Sequence, residues 1–196
     1  MPRPNLKFAT AALIAAFSLC AVHSADAQSA AAIPKLDPNR LTGTYFEIAR
    51  YPTKREKQCL ANEMVLYALG DKPRAFQIVT SCQVKQDNSE YWNKSGKLDK
   101  AANGQIKLGA IWPFSVKYWV IAIAPDYSWA LVGNPNHKSL WILSRTPTLA
   151  PDVLSSIRSQ ASAQGFDTAK LIAIPQTMPG DQQASAPPEP HAAPQP

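Results

Sequence analysis

Eight short segments rich in Val, Ile, Tyr, Trp and Phe follow one another between residues 43 and 145, and turn-forming residues separate them. Segments of this length and spacing are typical of antiparallel β-strands joined by short loops. An antiparallel meander loses its unpaired edges when it closes on itself. The pattern therefore favours an all-β fold, an eight-stranded antiparallel up-and-down barrel. The predicted strands are 43–51, 59–69, 75–85, 90–98, 104–112, 117–124, 127–133 and 139–145.

Side chains alternate between the two faces of a strand, so one face of each strand should point into the barrel. The alternation is clearest in 75–85 and 104–112. Glu47 and Glu63 share the inward-facing positions and could form an acid pair, but buried or mouth-lining structural carboxylates are the interpretation that we favour. The residues that we expect to line the lumen are Tyr67, Phe76, Ile78, Ile106, Leu108, Ala110, Trp112, Tyr118 and Trp141.

One helix should follow the eighth strand. Pro151 suits a first helical position, Leu154, Ile157 and Ala161 recur at helical spacing, and Gly165 stands where a helix ends. A single apolar stripe predicts that the helix packs outside the barrel. The apolar stretch 171–174 predicts one short final strand.

The two ends of the chain have a different composition. Residues 1–27 have the pattern of a cleaved signal peptide: a basic start, an apolar run and a small-x-small site. Cys20 follows Leu19, which does not fit a lipid-anchor motif, so we expect a periplasmic or secreted protein without a lipid anchor. We expect residues 28–35 to be flexible and the Pro-rich tail 178–196 to be disordered.

Cys59 and Cys82 are the cysteines that remain after the signal peptide. They lie symmetrically about position 70.5, inside the predicted turn 70–73, and directly opposed residues of a hairpin approach disulfide distance. We expect a disulfide, because exported proteins meet an oxidising compartment. Two buried free thiols are the alternative.

Three segments resemble the signatures of the lipocalins, and most closely those of bacterial lipocalins related to apolipoprotein D. They are Gly-Thr-Tyr-Phe-Glu-Ile-Ala-Arg at 43–50, Pro-Asp-Tyr with Ala-Leu-Val-Gly within 125–133, and Leu-Trp-Ile-Leu-Ser-Arg-Thr-Pro at 140–147. Gly-Phe-Asp at 165–167 is similar to the same subgroup, and the resemblance covers 36–176. The matching signature residues are Gly43, Tyr45, Asp126, Tyr127 and Arg145.

The resemblance also implies how the two ends of the barrel are built. The third residue of the first signature is normally Trp, whose ring plugs the closed end and stacks on the arginine of the third signature. Here the pair is Tyr45 and Arg145, and a Tyr ring still offers a face for a guanidinium. By the same resemblance, 36–41 crosses the closed end and the loop 52–58 lies over the open one.

The function that the resemblance implies is non-enzymatic: an exported protein that holds a fatty acid, a lysophospholipid or a similar amphiphile for storage or transport. The basic side chains of Lys54, Arg55 and Lys57 should then lie at the mouth and bind an acidic headgroup. A solvated loop is the alternative for these charges. The membrane surface is a further partner to consider, through peripheral contact, because the chain has a net charge of +6.

Several other functions are disfavoured. The three histidines lie in the signal peptide, beside a turn and in the tail, so no metal or Ser-His-acid cluster is expected. We expect no cofactor, because no phosphate-binding Gly-rich loop is present. Nucleic-acid binding would need a long basic run. Two alternatives stay open: an isomerase-like enzyme that uses Glu47, Glu63 or Tyr118, and an interaction or inhibitor module that acts through its loops and tail.

Overall fold

A computed structural model describes residues 30–85, 88–101, 103–109 and 116–177. Within these ranges it contains nine strands, two α-helices and two short 3-10 helices. The strands are β1 (Gly43–Arg50), β2 (Ala61–Leu69), β3 (Ala75–Lys85), β4 (Asn88–Leu98), β5 (Gln105–Leu108), β6 (Val116–Ile123), β7 (Trp129–Gly133), β8 (Leu140–Ser144) and β9 (Ile172–Ala173). The α-helices are α1 (Pro38–Leu41) and α2 (Pro151–Ala163), and the 3-10 helices are Arg55–Gln58 and Thr168–Lys170.

The sheet closes into a barrel. From β2 to β8 each strand pairs with the next strand along the chain, and β8 pairs with β1. β1 also pairs with β2, with Gly43 opposite Tyr67, which joins the two ends of the sheet. β9 adds to the end of β1, with Ala49 opposite Ala173. These pairings confirm the eight-stranded antiparallel barrel with a short extra strand.

β3 has the predicted bounds, and the other seven predicted strands begin or end at other residues than predicted, among them β2 and β5. β2 begins at Ala61 rather than 59, because Cys59 terminates the 3-10 helix that precedes it. The predicted strand 104–112 contains the four residues of β5. Its continuation at 110–112 lies outside the described residues.

Helix α2 packs on the outer wall of the barrel, as predicted. Ile157 and Ala161 are buried in an apolar cluster with Leu131, Ile142 and Phe166 of the barrel wall and the following loop. A second apolar cluster, which includes Tyr67, Phe76 and Ile106, lies inside the barrel. None of the described helices is long and apolar enough to cross a membrane.

The segment before α1 differs from the flexible stretch that we expected at 28–35. Residue Ala30 is 2% exposed and belongs to the outer apolar cluster. The backbone of Ile33 donates to Val120 O at 2.9 Å and accepts from Gly104 N at 2.8 Å. The described part, 30–35, is therefore tied to the barrel, which composition alone did not reveal.

The structure confirms the Cys59–Cys82 disulfide, with the two Cα atoms 5.5 Å apart. The geometric reason that we gave for it was wrong. The β2–β3 hairpin pairs Leu69 with Phe76, so its centre lies between Lys72 and Pro73 rather than at 70.5. The cysteines are not an opposed strand pair. Instead, the bond ties the end of the 3-10 helix to β3.

Candidate functional site

The closed end of the barrel is held by one arginine. The Arg145 guanidinium carbon lies 3.6 Å from the centroid of the fully buried Tyr45 ring. The same guanidinium donates to the backbone oxygens of Arg40 at 3.0 Å, Thr42 at 2.7 Å and Thr44 at 2.9 Å. Arg145 therefore fastens the segment that crosses this end to the barrel, with a Tyr ring in the place that Trp holds in the family signature.

The other signature residues complete this end. Tyr127 accepts a hydrogen bond on its hydroxyl from Asp37 N at 2.9 Å, and its backbone oxygen accepts from the Tyr45 hydroxyl at 3.1 Å. Asp126 accepts from the backbone and hydroxyl of Ser128, and these hydrogen bonds lower the pKa of its carboxyl. Gly43 has φ +100°, and a Cβ there would lie 2.9 Å from Arg145 Nη1. A glycine is thus required beside the arginine.

The lower half of the interior is filled by side chains. Tyr67, Phe76 and Ile106 are buried in the inner cluster, and none of them lines the cavity above. Tyr67 packs edge-on against Tyr45, and its hydroxyl is hydrogen-bonded to that of Tyr118. Burial raises the pKa of both Tyr67 and Tyr118. An eight-stranded barrel is just wide enough for such filling.

The upper half contains a cavity of about 70 Å³. Of the residues expected in the lumen, four line it, and Ala110 and Trp112 lie outside the described residues. The apolar lining consists of Val65, Ile78, Leu108, Val116, Tyr118 and Trp141. The polar lining consists of Glu47, Glu56, Thr80, Lys94, Lys117, Asn134 and Ser139.

The basic residues at the cavity are not those that the sequence singled out. Lys54, Arg55 and Lys57 are exposed around the 3-10 helix and do not line the cavity. Lys94 of β4 lines it, and burial together with the nearby Arg55 charge lowers the pKa of its ammonium group. Sequence reasoning missed Lys94 because β4 is polar on both faces and gives no inward-facing pattern.

Three carboxylates meet beside the cavity. One oxygen from each of Glu47, Glu56 and Glu63 lies within 4.8 Å of the others, and all three side chains are buried. Arg50 binds both Glu63 oxygens at 2.7 Å, and its Nε lies 3.4 Å from Glu56 Oε2. Such a set of oxygens is able to ligate a cation, but here the guanidinium already supplies the positive charge and occupies Glu63.

A bulge in β1 brings Arg50 into this cluster. Glu47 of β1 pairs with Leu143 of β8, but the next residue of β8, Ile142, pairs with Ala49 and not with residue 48. Residue 48 is therefore an extra residue between the two pairs. The bulge reverses the alternation, so Arg50 turns inward like Glu47 although their numbers differ by three. The sequence carries no signal for this bulge, and Arg50 was missed.

Glu56 was also missed, although a signal existed. Thr53 and Glu56 have the Thr-x-x-Glu spacing of a capping box. Glu56 N donates to the Thr53 hydroxyl at 3.2 Å, and that hydroxyl donates back to Glu56 Oε2. This reciprocal pair holds the Glu56 carboxylate at the cavity rather than in solvent.

Glu47 is the member of the cluster whose carboxyl group is not fully hydrogen-bonded within the described residues. Its side chain is 3% exposed, and its Oε2 has no hydrogen-bond partner among the described residues. Burial, reinforced by the negative charges of Glu56 and Glu63, raises the pKa of the Glu47 carboxyl well above its usual value. This shift favours the neutral, protonated form of the Glu47 carboxyl.

Several known proteins are similar to this chain in sequence, and solved structures are similar to it in architecture. The chain is 31% identical over 170 residues to the outer membrane lipoprotein Blc of Escherichia coli K12, which covers 85% of this chain and 94% of that protein. It is 27% identical over 168 residues to temperature-induced lipocalin-1 of Arabidopsis thaliana, covering 82% and 86%. Insecticyanin from the tobacco hornworm Manduca sexta has a TM-score of 0.57 at 19% identity, covering 73% and 82%, which shows the fold alone.

The family model for a lipocalin-like domain matches residues 36–176. That range begins before α1, which crosses the closed end, and ends just after β9. It therefore includes the whole barrel and both of its ends. With this match and the relatives above, the chain belongs to the lipocalin family.

Proposed function

We propose that the protein is an exported, non-enzymatic carrier that holds one amphiphile, of the fatty acid or lysophospholipid class, in the upper half of its barrel. The observation that carries the proposal is the cavity, whose apolar wall includes Ile78, Leu108 and Trp141. Burying one methylene against such a wall contributes roughly 0.8 kcal/mol. The Cys59–Cys82 disulfide supports export, because disulfides persist in oxidising compartments.

The cavity volume sets a limit on the bound ligand. A typical ligand pocket has about 300–1,000 Å³, whereas this cavity has about 70 Å³. A long chain must therefore leave its outer part at the mouth or displace rim side chains such as Val116 and Trp141. At the mouth, Lys94 and the exposed Arg55 are placed to attract an acidic headgroup.

Displacement of the neutral fluorescent dye N-phenyl-1-naphthylamine tests the proposal on the full chain. Carboxylates and alcohols of increasing chain length should displace it with rising affinity, and the rise should level off once the cavity is filled. The variant Leu108→Phe fills the cavity and should weaken binding about tenfold. Leu69→Phe is the matched control, because Leu69 is exposed.

Two results would reject the carrier proposal. One is that no aliphatic ligand displaces the dye from a correctly folded protein. The other is that Leu108→Phe and Leu69→Phe bind equally well, because the ligand would then lie outside the lumen. Thermal unfolding of both variants verifies that neither has lost its fold.

A second candidate function, contact with an anionic membrane, rests on a row of lysines. Lys97 lies opposite Lys107, and Lys107 lies opposite Lys117, so three exposed ammonium groups stand side by side across β4, β5 and β6. Like charges directly opposed in a sheet are destabilising. No carboxylate within the described ranges forms an ion pair with any of them. A phosphate-rich surface would relieve the repulsion.

Sedimentation with lipid vesicles tests this contact. The protein should bind phosphatidylglycerol vesicles more tightly than phosphatidylcholine vesicles, and salt should weaken the binding. Lys107→Gln should reduce it several-fold. Lys170→Gln is the control, since Lys170 already pairs with Asp167 at 3.3 Å. Equal binding to both lipids, or no effect of Lys107→Gln, would reject the contact.

A further inference from the structure

We propose that Glu47 accepts a hydrogen bond from a neutral hydroxyl group at the inner end of the ligand, so that the cavity selects aliphatic alcohols that enter hydroxyl-first. This inference rests on the carrier function proposed above and names the chemistry at the bottom of the cavity. It differs from headgroup binding at the mouth, which concerns the outer end of a ligand.

Glu47 carries a hydrogen-bond acceptor that the protein does not use within the described residues. Glu47 Oε2 is buried, has no hydrogen-bond partner among the described residues, and belongs to a side chain that lines the cavity. A buried acceptor without a partner costs free energy, and a ligand donor that reaches it recovers that energy. The neighbouring carboxylates do not offer the same opportunity, because Arg50 and Thr53 already donate to Glu63 and Glu56.

The charged groups around Glu47 favour a neutral ligand group over a charged one. Glu56, Glu63 and Glu47 face one guanidinium, Arg50, across the site, and Lys94 faces the cavity from β4. A ligand carboxylate at the bottom would meet these acids and be repelled. A ligand ammonium group would meet the Arg50 guanidinium and Lys94, and burial with acidic neighbours favours the neutral form of Glu47, which offers no counter-charge. A neutral donor fits best.

A ligand hydroxyl is complementary to the polar side chains of the cavity, because it donates one hydrogen bond and accepts others. Glu47 offers the acceptor. Thr80, which lines the same cavity, carries a hydroxyl that donates. The volume of about 70 Å³ suits a hydroxyl and its first methylenes. The rest of the chain would extend along the apolar wall toward the mouth.

The experiment measures dissociation constants of 1-decanol and decanoate by dye displacement at pH 7 for three forms of the full chain. Because the two ligands differ in water solubility, the quantity compared is the ratio of their dissociation constants in each form. Wild type is compared with Glu47→Leu, which removes the acceptor, and with Glu47→Gln, which is a neutral isostere of the protonated carboxyl and keeps an acceptor oxygen.

We expect the preference for decanol to fall about tenfold in Glu47→Leu, the effect of one hydrogen bond, and to survive in Glu47→Gln. An unchanged ratio in Glu47→Leu would overturn the inference, and so would loss of the preference in Glu47→Gln. If Glu47→Leu fails to fold, Glu47→Met takes its place, because it also removes the acceptor oxygen and must lower the preference for decanol. Absence of binding by both ligands would instead reject the carrier function itself.

Discussion

The two ends of this barrel use charged groups in opposite ways. At the closed end, Arg145 has four backbone oxygens and a Tyr ring as partners, so its charge is spread over neutral acceptors. At the open end, Glu47, Glu56 and Glu63 share one guanidinium, and one oxygen of Glu47 has no hydrogen-bond partner in the part of the chain that the structure describes. The arginine of the closed end is held by the protein itself, whereas the open end keeps unused hydrogen-bonding capacity among the described residues.

This difference separates structural from binding roles within one sheet. An arrangement whose charged group is already held by the protein gains little from a ligand. An unsaturated one lowers its free energy when a complementary group arrives. The comparison predicts that substitutions at the closed end change stability alone, while substitutions at the open end change both stability and binding.

The largest effect should come from Arg50→Met at the open end. This change leaves Glu63, which is 1% exposed, without its bidentate counter-charge. Breaking one side of a buried ion pair costs about 3–5 kcal/mol. Urea unfolding followed by Trp fluorescence should show a loss of unfolding free energy in that range.

The double variant Arg50→Met with Glu63→Leu is the matched control. Replacing both members of a buried pair by apolar residues is often neutral or stabilising, so the double variant should recover most of the loss. If it is as unstable as the single variant, the loss comes from packing and not from the unpaired carboxylate.

The next effect concerns the bond that holds the 3-10 helix at the open end. Cys59 and Cys82 are 23 positions apart, and closing a loop of this length stabilises a protein by about 3 kcal/mol through the unfolded state. The double variant Cys59→Ser with Cys82→Ser should lose that amount in urea unfolding. Wild type kept in a reducing agent should unfold at the same urea concentration as the variant, and a mismatch would point to an effect of the serines.

At the closed end, Arg145→Lys should cost about 2 kcal/mol. An ammonium group lacks the planar fork that reaches Arg40, Thr42 and Thr44 together. Tyr45→Phe provides a smaller step of about 1 kcal/mol, because it removes one hydrogen bond and keeps the ring under the guanidinium. Ligand binding should be unchanged in both variants. A change in dye displacement would show that the two ends are coupled.

Strand number, barrel closure and the outer helix were predictable, because alternation and turn residues recur along the whole chain. Inward-facing residues such as Ile78 and Leu108 followed from the same alternation. Arg50 was not predictable, because a bulge reverses the alternation only locally. The hairpin centre was misplaced for a similar reason: turn composition marks the turn 70–73 but does not fix which residues pair. The small size of the cavity depends on side-chain packing, which no local pattern encodes.

The smallest effect should be a pH-dependent gain from Glu47→Gln. The folded protein holds the Glu47 proton more tightly than the unfolded chain, since its pKa is raised. The stability that this proton contributes is fully present below the unfolded pKa of about 4.3 and is lost as the pH rises toward the folded value. Glutamine does not titrate, so the variant should match wild type near pH 4 and exceed it by about 1 kcal/mol at pH 5. Urea unfolding at the two pH values measures the difference. A gain that is equal at both pH values would show that Glu47 is not the titrating group. It would also remove the contrast between the incompletely hydrogen-bonded Glu47 at the open end and the well-held Arg145 at the closed end.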